Sequence, residues 1–183
     1  MMSDAEFFAG ITGSTNDLSL VVRALRESGQ PFCLIGGLAV NHYAEPMVTL
    51  DADFAVAGAE GTAAALRQAG FQVEEFPHSC NATLPGSRLR IQITLNHRYG
   101  SFPSRAVIGT LFGVELPIAA LPDVVQGKLW AATDPTRRAT KRQKDAVDLA
   151  RLAESHPEVF QLIPSGLVAG VDEIRPGPPT KRQ

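Results

Sequence analysis

The stretch IGGLAVNHYAEPMVTLDADFAV, from Ile35 to Val56, decides the expected fold of this chain. A glycine pair, Gly36 and Gly37, follows a short apolar run, which predicts a strand that ends in a tight turn and leads into a short helix, LAVNHYA. The next run alternates between apolar residues and the aspartates Asp51 and Asp53. This alternation is typical of a strand that turns its apolar residues to one face and both carboxylates to the other.

The two carboxylates suggest chemistry on a phosphate. Because residues i and i+2 of a strand lie about 7 Å apart on one face, Asp51 and Asp53 are placed to hold the same hard cation. Mg²⁺ (or Mn²⁺) is usually held by one or two carboxylates and takes its other ligands from water and substrate phosphates. Gly36 and Gly37 lack the Cβ atoms that would keep a phosphate away from backbone N–H groups. The pattern therefore predicts a phosphoryl-transfer site, although a tight turn beside a solvent-facing acidic strand would leave the same pattern.

Helices and strands alternate through the first two thirds of the chain. Apolar spacing predicts a first helix that is capped by Ser14 or Thr15 and stopped by Gly29, followed later by a helix in GTAAALRQAG. The segments FQVEEF and RLRIQITL read as strands, and AVIGTLFGVELPIA reads as a hairpin that turns near Phe112 and Gly113.

The last third of the chain is expected to be helical. Pro122 opens the helix DVVQGKLWAA, and KRQKDAVDLARLAESH forms another helix that buries Val147 or Leu149 together with Leu152 and Ala153. The fold class is therefore α/β (α+β), with a short mixed sheet, flanking helices and a helical C-terminal region. We expect a single domain over residues 1–173, with a core of about 14–118 and a helical part of about 119–173. The proline-rich segment 174–183 is expected to be disordered.

Composition narrows the class of protein. The chain has 183 residues, 44% hydrophobic and 20% charged, and a formal net charge of −2, so no global field indicates a nucleic-acid or membrane partner. Cys33 lies in an apolar run and Cys80 in a polar, loop-like stretch, too few and too unpatterned for a disulfide framework or a zinc site. With no secretory signal pattern and no long apolar run, we expect a cytoplasmic protein without membrane contact.

The opening stretch resembles the signature of the nucleotidyltransferase superfamily with the DNA polymerase beta-like fold. The resemblance rests on the glycine pair, on Leu-Ala-Val, on a Glu-Pro step, and on the run Thr49-Leu50-Asp51-Ala52-Asp53. Within that superfamily the chain looks nearest to the abortive-infection type toxins. The resemblance implies a nucleotidyltransferase-type sheet, a triphosphate bound at Gly36 and Gly37, and magnesium held by Asp51 and Asp53.

A second block extends the resemblance. The segments ALPDVVQGKLWA and KRQKDAVDLARL are similar to the family's helical lysine and its later Lys-Asp-x-x-Asp-Leu stretch. The resemblance thus implies that Lys128 binds nucleotide and that Asp145, or Asp148, takes part in catalysis. The residues alone leave alternatives open. Lys128 would equally suit a snorkelling surface position. Asp145 and Asp148 could pair with the nearby Lys141 and Lys144 on a solvated surface, which local spacing slightly favours.

The function expected from these features is magnesium-dependent transfer of a nucleoside monophosphate from a nucleoside triphosphate to a hydroxyl of RNA (including tRNA), protein or a small molecule. A toxin–antitoxin role with a cognate antitoxin follows from the resemblance. The chain has Met47 where relatives commonly carry an arginine, and Gln92 where many carry a third carboxylate that acts as general base. The alternative is therefore a catalytically weakened nucleotide-binding or toxin–antitoxin interaction protein of the same fold.

Overall fold

The computed structural model describes residues 17–167 and residue 171, and within them the chain forms a seven-stranded sheet with helices between the strands. The strands are β1 (Phe32–Ile35), β2 (Asp51–Val56), β3 (Gln72–Phe76), β4 (Ser79–Thr83), β5 (Arg90–Thr94), β6 (Val107–Leu111) and β7 (Val114–Ile118). The helices are α1 (Asp17–Glu27), α2 (Gly36–Tyr43), α3 (Thr62–Gln68), α4 (Phe102–Arg105), α5 (Leu121–Thr133) and α6 (Ala139–Ser155). Single-turn or short 3₁₀ segments cover His97–Tyr99 and Pro157–Leu162.

The sheet is mixed, with the order β3-β4-β5-β2-β1-β7-β6. At its centre β1 and β2 run antiparallel, whereas β2 runs parallel to β5 and β1 runs parallel to β7. Antiparallel pairing places Ile35 of β1 opposite Asp53 of β2, and parallel pairing places Asp53 opposite Gln92 of β5. The turn after β1, the acidic face of β2 and the outer face of β5 therefore meet at one place.

The apolar face of β2 is buried as its alternation predicts. Ala52 and Phe54 are fully buried, and Asp51 and Asp53 point to the opposite side, where they are only partly covered. Because like faces of adjacent strands lie side by side, Ile91 and Ile93 of β5 join the same core. This core fixes the register of β2 and β5, since a slip of one residue would turn the aspartates inward.

The predicted fold class is confirmed, but the sheet is longer than the short one expected. The hairpin turns where predicted: Phe112 and Gly113 both have positive φ, 49° and 79°, as the two central residues of a type I′ turn require. The expectation of a loop around Cys80 is wrong. Cys80 and Ala82 are buried residues of β4, which pairs with β3 and β5, and the polar side chains between them hid the strand.

The C-terminal region of the described chain is helical, and α5 packs along α6. Of the two apolar residues left open for the buried face of α6, Leu149 is buried with Leu152 and Ala153, while Val147 is half exposed. The expected N-cap residues of α1 and the 174–183 tail lie outside the described residues. Within residues 17–167 and 171, no helix combines the length and the apolar character that crossing a bilayer demands.

Candidate active site

The centre of the site is the contact between the glycine turn and β2. Gly36 starts α2 with φ of +69°, a conformation that L side chains rarely adopt. A Cβ atom at this position would overlap Oδ2 of Asp53 and lie 2.8 Å from its Cγ. Gly36 is therefore required twice, by its backbone conformation and by the carboxylate that occupies the space of a side chain.

Gly36 and Asp53 line a cleft of about 240 Å³. Polar and charged side chains from three other elements converge on it: Gln92 and Thr94 from β5, Asn96 and Arg98 just after β5, and Lys128 from α5. Arg137 and Asp145 close the side formed by the start of α6. The cleft thus joins the two blocks of sequence, since Asp53 of the first block and Lys128 of the second are 75 positions apart along the chain.

Asp53 is the carboxylate in this cleft that has no cation in contact. Burial raises its pKa from 3.8 to about 6, and the fields of Lys128, Lys144 and Arg137 oppose that rise without removing it, while the nearby Asp51 adds to it. Among the described residues no lysine or arginine forms an ion pair with Asp53. The negative charge of Asp53 is therefore available to bind a cation from outside the described part of the chain.

The other two residues of the predicted constellation lie beside the cleft rather than in its lining. Asp51 forms an ion pair with Arg90 of β5, with 2.7 Å between Oδ1 and Nε. Gly37 lies near Thr49, where an added Cβ would meet ordinary contacts of 3.7 Å and more. Gly36 and Asp53 are thus brought together in the cleft, whereas Gly37, the residue after Gly36, and Asp51, two residues before Asp53, lie outside its lining.

Gln92 stands where a third strand carboxylate would be expected. It pairs in register with Asp53 and turns to the same face, so both side chains line the cleft. An amide in this position can donate or accept a hydrogen bond but cannot take a proton near neutral pH. Thr94 and Asn96 continue the same alternation, and period-two counting from Gln92 would have found both.

Lys128 is buried in an ion-pair cluster. Its ammonium lies 2.9 Å from Oδ1 of Asp145 and 2.6 Å from Oδ2 of Asp148, and its side chain is 9% exposed. Burial alone would lower the pKa of Lys128, but the charges and hydrogen bonds of Asp148 and Asp145 raise it above its usual value. The ammonium is therefore held charged inside the protein, with its position set by two carboxylates.

Two arginines complete this cluster. Arg137 donates from Nε to Oδ2 of Asp145 at 2.9 Å, and Arg151 donates from Nη1 to Oδ1 of Asp148 at 2.7 Å. Three cations thus face two carboxylates, which gives the cluster a net charge of +1. The expectation that the aspartates pair with Lys141 and Lys144 on a solvated surface is wrong, because both carboxylates are buried.

The arginine at the far end ties α6 to the loop before β2. Arg151 donates from Nη2 to Oδ1 of Asn41, 2.9 Å away, and to the carbonyl of Glu45. Asn41 in turn bonds both the N–H and the carbonyl of Met47, at 3.0 and 2.7 Å. Met47 itself is 50% exposed, so its backbone rather than its side chain takes part.

The donor set fits a magnesium site that is shared with substrate rather than a closed one. Within residues 17–167 and 171, no three His, Cys, Asp or Glu side chains are grouped as a protein-only metal site would require. Two carboxylates on one strand face remain: Asp51, which is paired with Arg90, and Asp53, which is partly buried and has no contacting cation. Such a pair suits Mg²⁺, which commonly takes its remaining ligands from water and phosphate oxygens.

Comparisons with known proteins identify the fold. No family model matches the chain, and no curated protein matches it in sequence. Among solved structures, an H. pylori protein assigned as a nucleotidyltransferase superposes with a TM-score of 0.56 at 18% identity, over 88% of this chain and 74% of that one. The antibiotic-resistance factor ANT(2'')-Ia, in complex with adenylyl-2''-tobramycin, gives 0.55 at 15% identity, over 79% and 91%. The chain therefore has the fold of these nucleotidyltransferases.

Proposed function

We propose that this chain is a nucleotidyltransferase that transfers a nucleoside monophosphate from a nucleoside triphosphate to a hydroxyl acceptor. The observation that carries the proposal is the seating of Gly36 against Asp53 in one cleft. A phosphate can approach the backbone at a glycine that begins a helix, and the same phosphate then lies beside a carboxylate suited to a cation. A tight turn serving the fold alone would not need to hold a desolvated acid.

The transfer balances as a single displacement. The acceptor oxygen bonds to the α-phosphorus, the bond from that phosphorus to the bridging oxygen of pyrophosphate breaks, and the hydroxyl proton passes to solvent. Mg²⁺ (or Mn²⁺), held by Asp51 and Asp53, would neutralise charge on the triphosphate and on the entering and leaving oxygens. Because Arg90 already pairs with Asp51, the two carboxylates alone would bind the metal weakly. The phosphate oxygens of a bound nucleotide would add ligands and so strengthen metal binding.

The buried ion-pair cluster around Lys128 explains how the second block of sequence would take part in nucleotide binding. Lys128 and Arg137 line the cleft and carry positive charge toward the triphosphate, while Asp145 and Asp148 hold them in place. Both oxygens of Asp145 already accept from cations, at 2.9 Å each. Asp145 is thus better suited to position Lys128 and Arg137 than to take a proton from the acceptor.

A second candidate function is supported by Gln92. Because Gln92 lies opposite Asp53 without a proton-accepting group, the protein would bind nucleotide in this cleft and turn it over weakly. Activity in a toxin–antitoxin system, relation to the abortive-infection branch and a cognate antitoxin are finer proposals that rest on the sequence resemblance alone. A cytoplasmic location is a further proposal, and it rests on the sequence pattern. RNA, including tRNA, and protein remain acceptors to be tested beside small molecules.

Label transfer tests the proposal. Purified protein is incubated with Mg²⁺, a cell extract and nucleoside triphosphates that carry the label on either the α- or the γ-phosphate. We expect the α-label, and not the γ-label, to enter an acceptor, with loss of transfer in Asp53→Asn. Transfer of the γ-label would contradict nucleotidyl transfer. Triphosphate binding without transfer of either label would favour the second candidate.

A further inference from the structure

A second cavity, of about 380 Å³, lies directly beside the cleft. The two share three residues, Arg98, Phe102 and Asp123, which therefore form the wall between them. Beyond that wall the second cavity is lined by polar and apolar residues alike, and Leu129, Trp130 and Leu162 form part of its apolar surface. A ligand seated there would lie next to the site where the transferred group is proposed to be bound.

The charges of this cavity are not balanced. Arg105 donates from Nε and Nη2 to the two oxygens of Asp123, at 3.0 and 2.7 Å, so these two opposite charges are paired in a bidentate contact. Among the described residues Arg98 forms no ion pair, although Asp134 lies near enough for the charge of Arg98 to help lower the pKa of that carboxyl. The lining of the cavity therefore holds one positive charge without a contacting carboxylate and no negative charge without a contacting cation.

Arg98 packs against two aromatic rings. Its guanidinium carbon lies 5.2 Å from the ring centre of Tyr99 and 5.1 Å from that of Trp130, and the two rings stand at 84° to each other. Contact with both rings keeps the guanidinium close to the cavity, where it can bind a carboxylate or phosphate with two parallel hydrogen bonds. Arg98 is therefore a candidate anion-binding group at the edge of the cavity.

We propose that this second cavity is the acceptor site, and that the acceptor is a small organic acid with a hydroxyl and a ring or other apolar body. The role as acceptor rests on the proposed function, whereas the class of ligand is inferred from the residues that line the cavity. The anionic group pairs with Arg98 and the apolar body packs on Phe102, Leu129 and Trp130. A polycationic acceptor is disfavoured, because Asp123 is already paired with Arg105.

The chain offers a direct readout, because Trp130 is its only tryptophan and lines the second cavity. Tryptophan fluorescence is titrated at low salt with three probes that share a benzyl group: phenylacetate, phenylacetamide and phenethylamine. We expect phenylacetate to bind about tenfold or more tightly than the other two, as a charge-assisted contact predicts. Equal affinities, preference for phenethylamine, or no fluorescence change with any probe would overturn the proposal.

Variants and competition locate the binding. Arg98→Gln should reduce the affinity for phenylacetate to that for phenylacetamide, while Arg23→Gln, an exposed arginine of α1, should leave it unchanged. Equal loss in both variants would overturn the assignment to Arg98. Phenylacetate should also bind in the presence of saturating α,β-methylene-ATP and Mg²⁺, whereas competition would assign the cavity to the nucleotide. If the triphosphate fails to bind but the probe selectivity holds, the nucleotidyltransferase proposal and the acceptor role fail, and an organic-acid site remains.

Discussion

Gly36 and Asp53 occupy each other's space: the carboxylate of Asp53 fills the position that a Cβ atom at residue 36 would take. The contact follows from the pairing of β1 with β2, which sets Ile35 opposite Asp53 and carries the next residue over the acidic face. The turn at Gly36, strand β2 and the carboxylate of Asp53 therefore form one packed unit. A substitution in any of the three should alter the geometry of the other two.

Replacing Gly36 with alanine tests this unit. Gly36→Ala adds a Cβ atom at positive φ and against Asp53, so we expect a loss of about 1–3 kcal/mol in the free energy of unfolding. Metal-dependent nucleotide binding should weaken by at least tenfold. For stability Gly37→Ala is the matched control, since its added Cβ would lie 3.7 Å from its nearest neighbour, Thr49. Urea unfolding measures the stability of both variants and calorimetry measures nucleotide binding by Gly36→Ala, and an equal loss of stability in the two variants would contradict the account.

The raised pKa of Asp53 predicts a gain in stability on its removal. Because the folded-state pKa is about 6 and the ordinary value is 3.8, the folded state holds this proton more tightly, and stability falls as pH rises from about 4 to 6. Asp53→Asn should therefore be more stable than wild type at pH 7.5 by about 1–3 kcal/mol, a range that allows for screening by water. The difference should shrink near pH 3.5. Urea unfolding at both pH values would contradict this if the variant were less stable at pH 7.5.

Lys128 should be important for stability as well as for the cleft. Lys128→Met leaves Asp145 and Asp148 buried with one cation fewer, and breaking a buried ion pair in this way typically costs about 3–5 kcal/mol. Lys144→Met, an exposed lysine of the same region, should change stability by less than about 0.5 kcal/mol. Thermal and urea unfolding compare the two. A loss below 1 kcal/mol in Lys128→Met would show that the cluster is not a stabilising unit.

Gln92 separates an efficient enzyme from a weakened one. Gln92→Glu places a carboxylate opposite Asp53, and general-base assistance is typically worth about 10²–10⁴-fold in rate. We expect transferase activity to rise by a measurable part of that range, with stability monitored because a second acid lies near. Asp145→Asn is assayed beside it. No gain in Gln92→Glu together with complete loss in Asp145→Asn, at unchanged stability, would assign the base to Asp145.

The local part of the site was predictable from sequence, since it depends on two neighbouring segments. Glycines at the end of an apolar run and aspartates at alternate positions of the next one indicate a turn and a strand face. The strand face that carries Gln92 also followed from alternation, whereas its correspondence to a third carboxylate came from the family resemblance and its place opposite Asp53 is known only from the structure. Strand β4 was missed, because its buried positions hold the small residues Cys80 and Ala82 among polar ones.

The burial of the aspartates in the second block was harder to predict from the sequence. Asp145, Asp148, Leu149 and Leu152 lie at i, i+3, i+4 and i+7, so one helical face carries both the aspartates and the core leucines. The spacing of the aspartates from the core leucines indicates a buried face, whereas their spacing from Lys141 and Lys144 favoured a solvated one. Their partners could not be read from the sequence, because Lys128 comes from another helix and its approach depends on how α5 and α6 pack.

Linked binding of metal and nucleotide tests the central claim most directly. Calorimetric titration of α,β-methylene-ATP is performed with and without Mg²⁺, on wild type, Asp53→Asn and Arg23→Gln. The account predicts that Mg²⁺ tightens nucleotide binding at least tenfold in wild type and Arg23→Gln, that nucleotide tightens Mg²⁺ binding by the same factor, and that Asp53→Asn abolishes both effects. Nucleotide binding that ignores Mg²⁺, or that is equally Mg²⁺-dependent in Asp53→Asn, would contradict a shared site at Gly36 and Asp53.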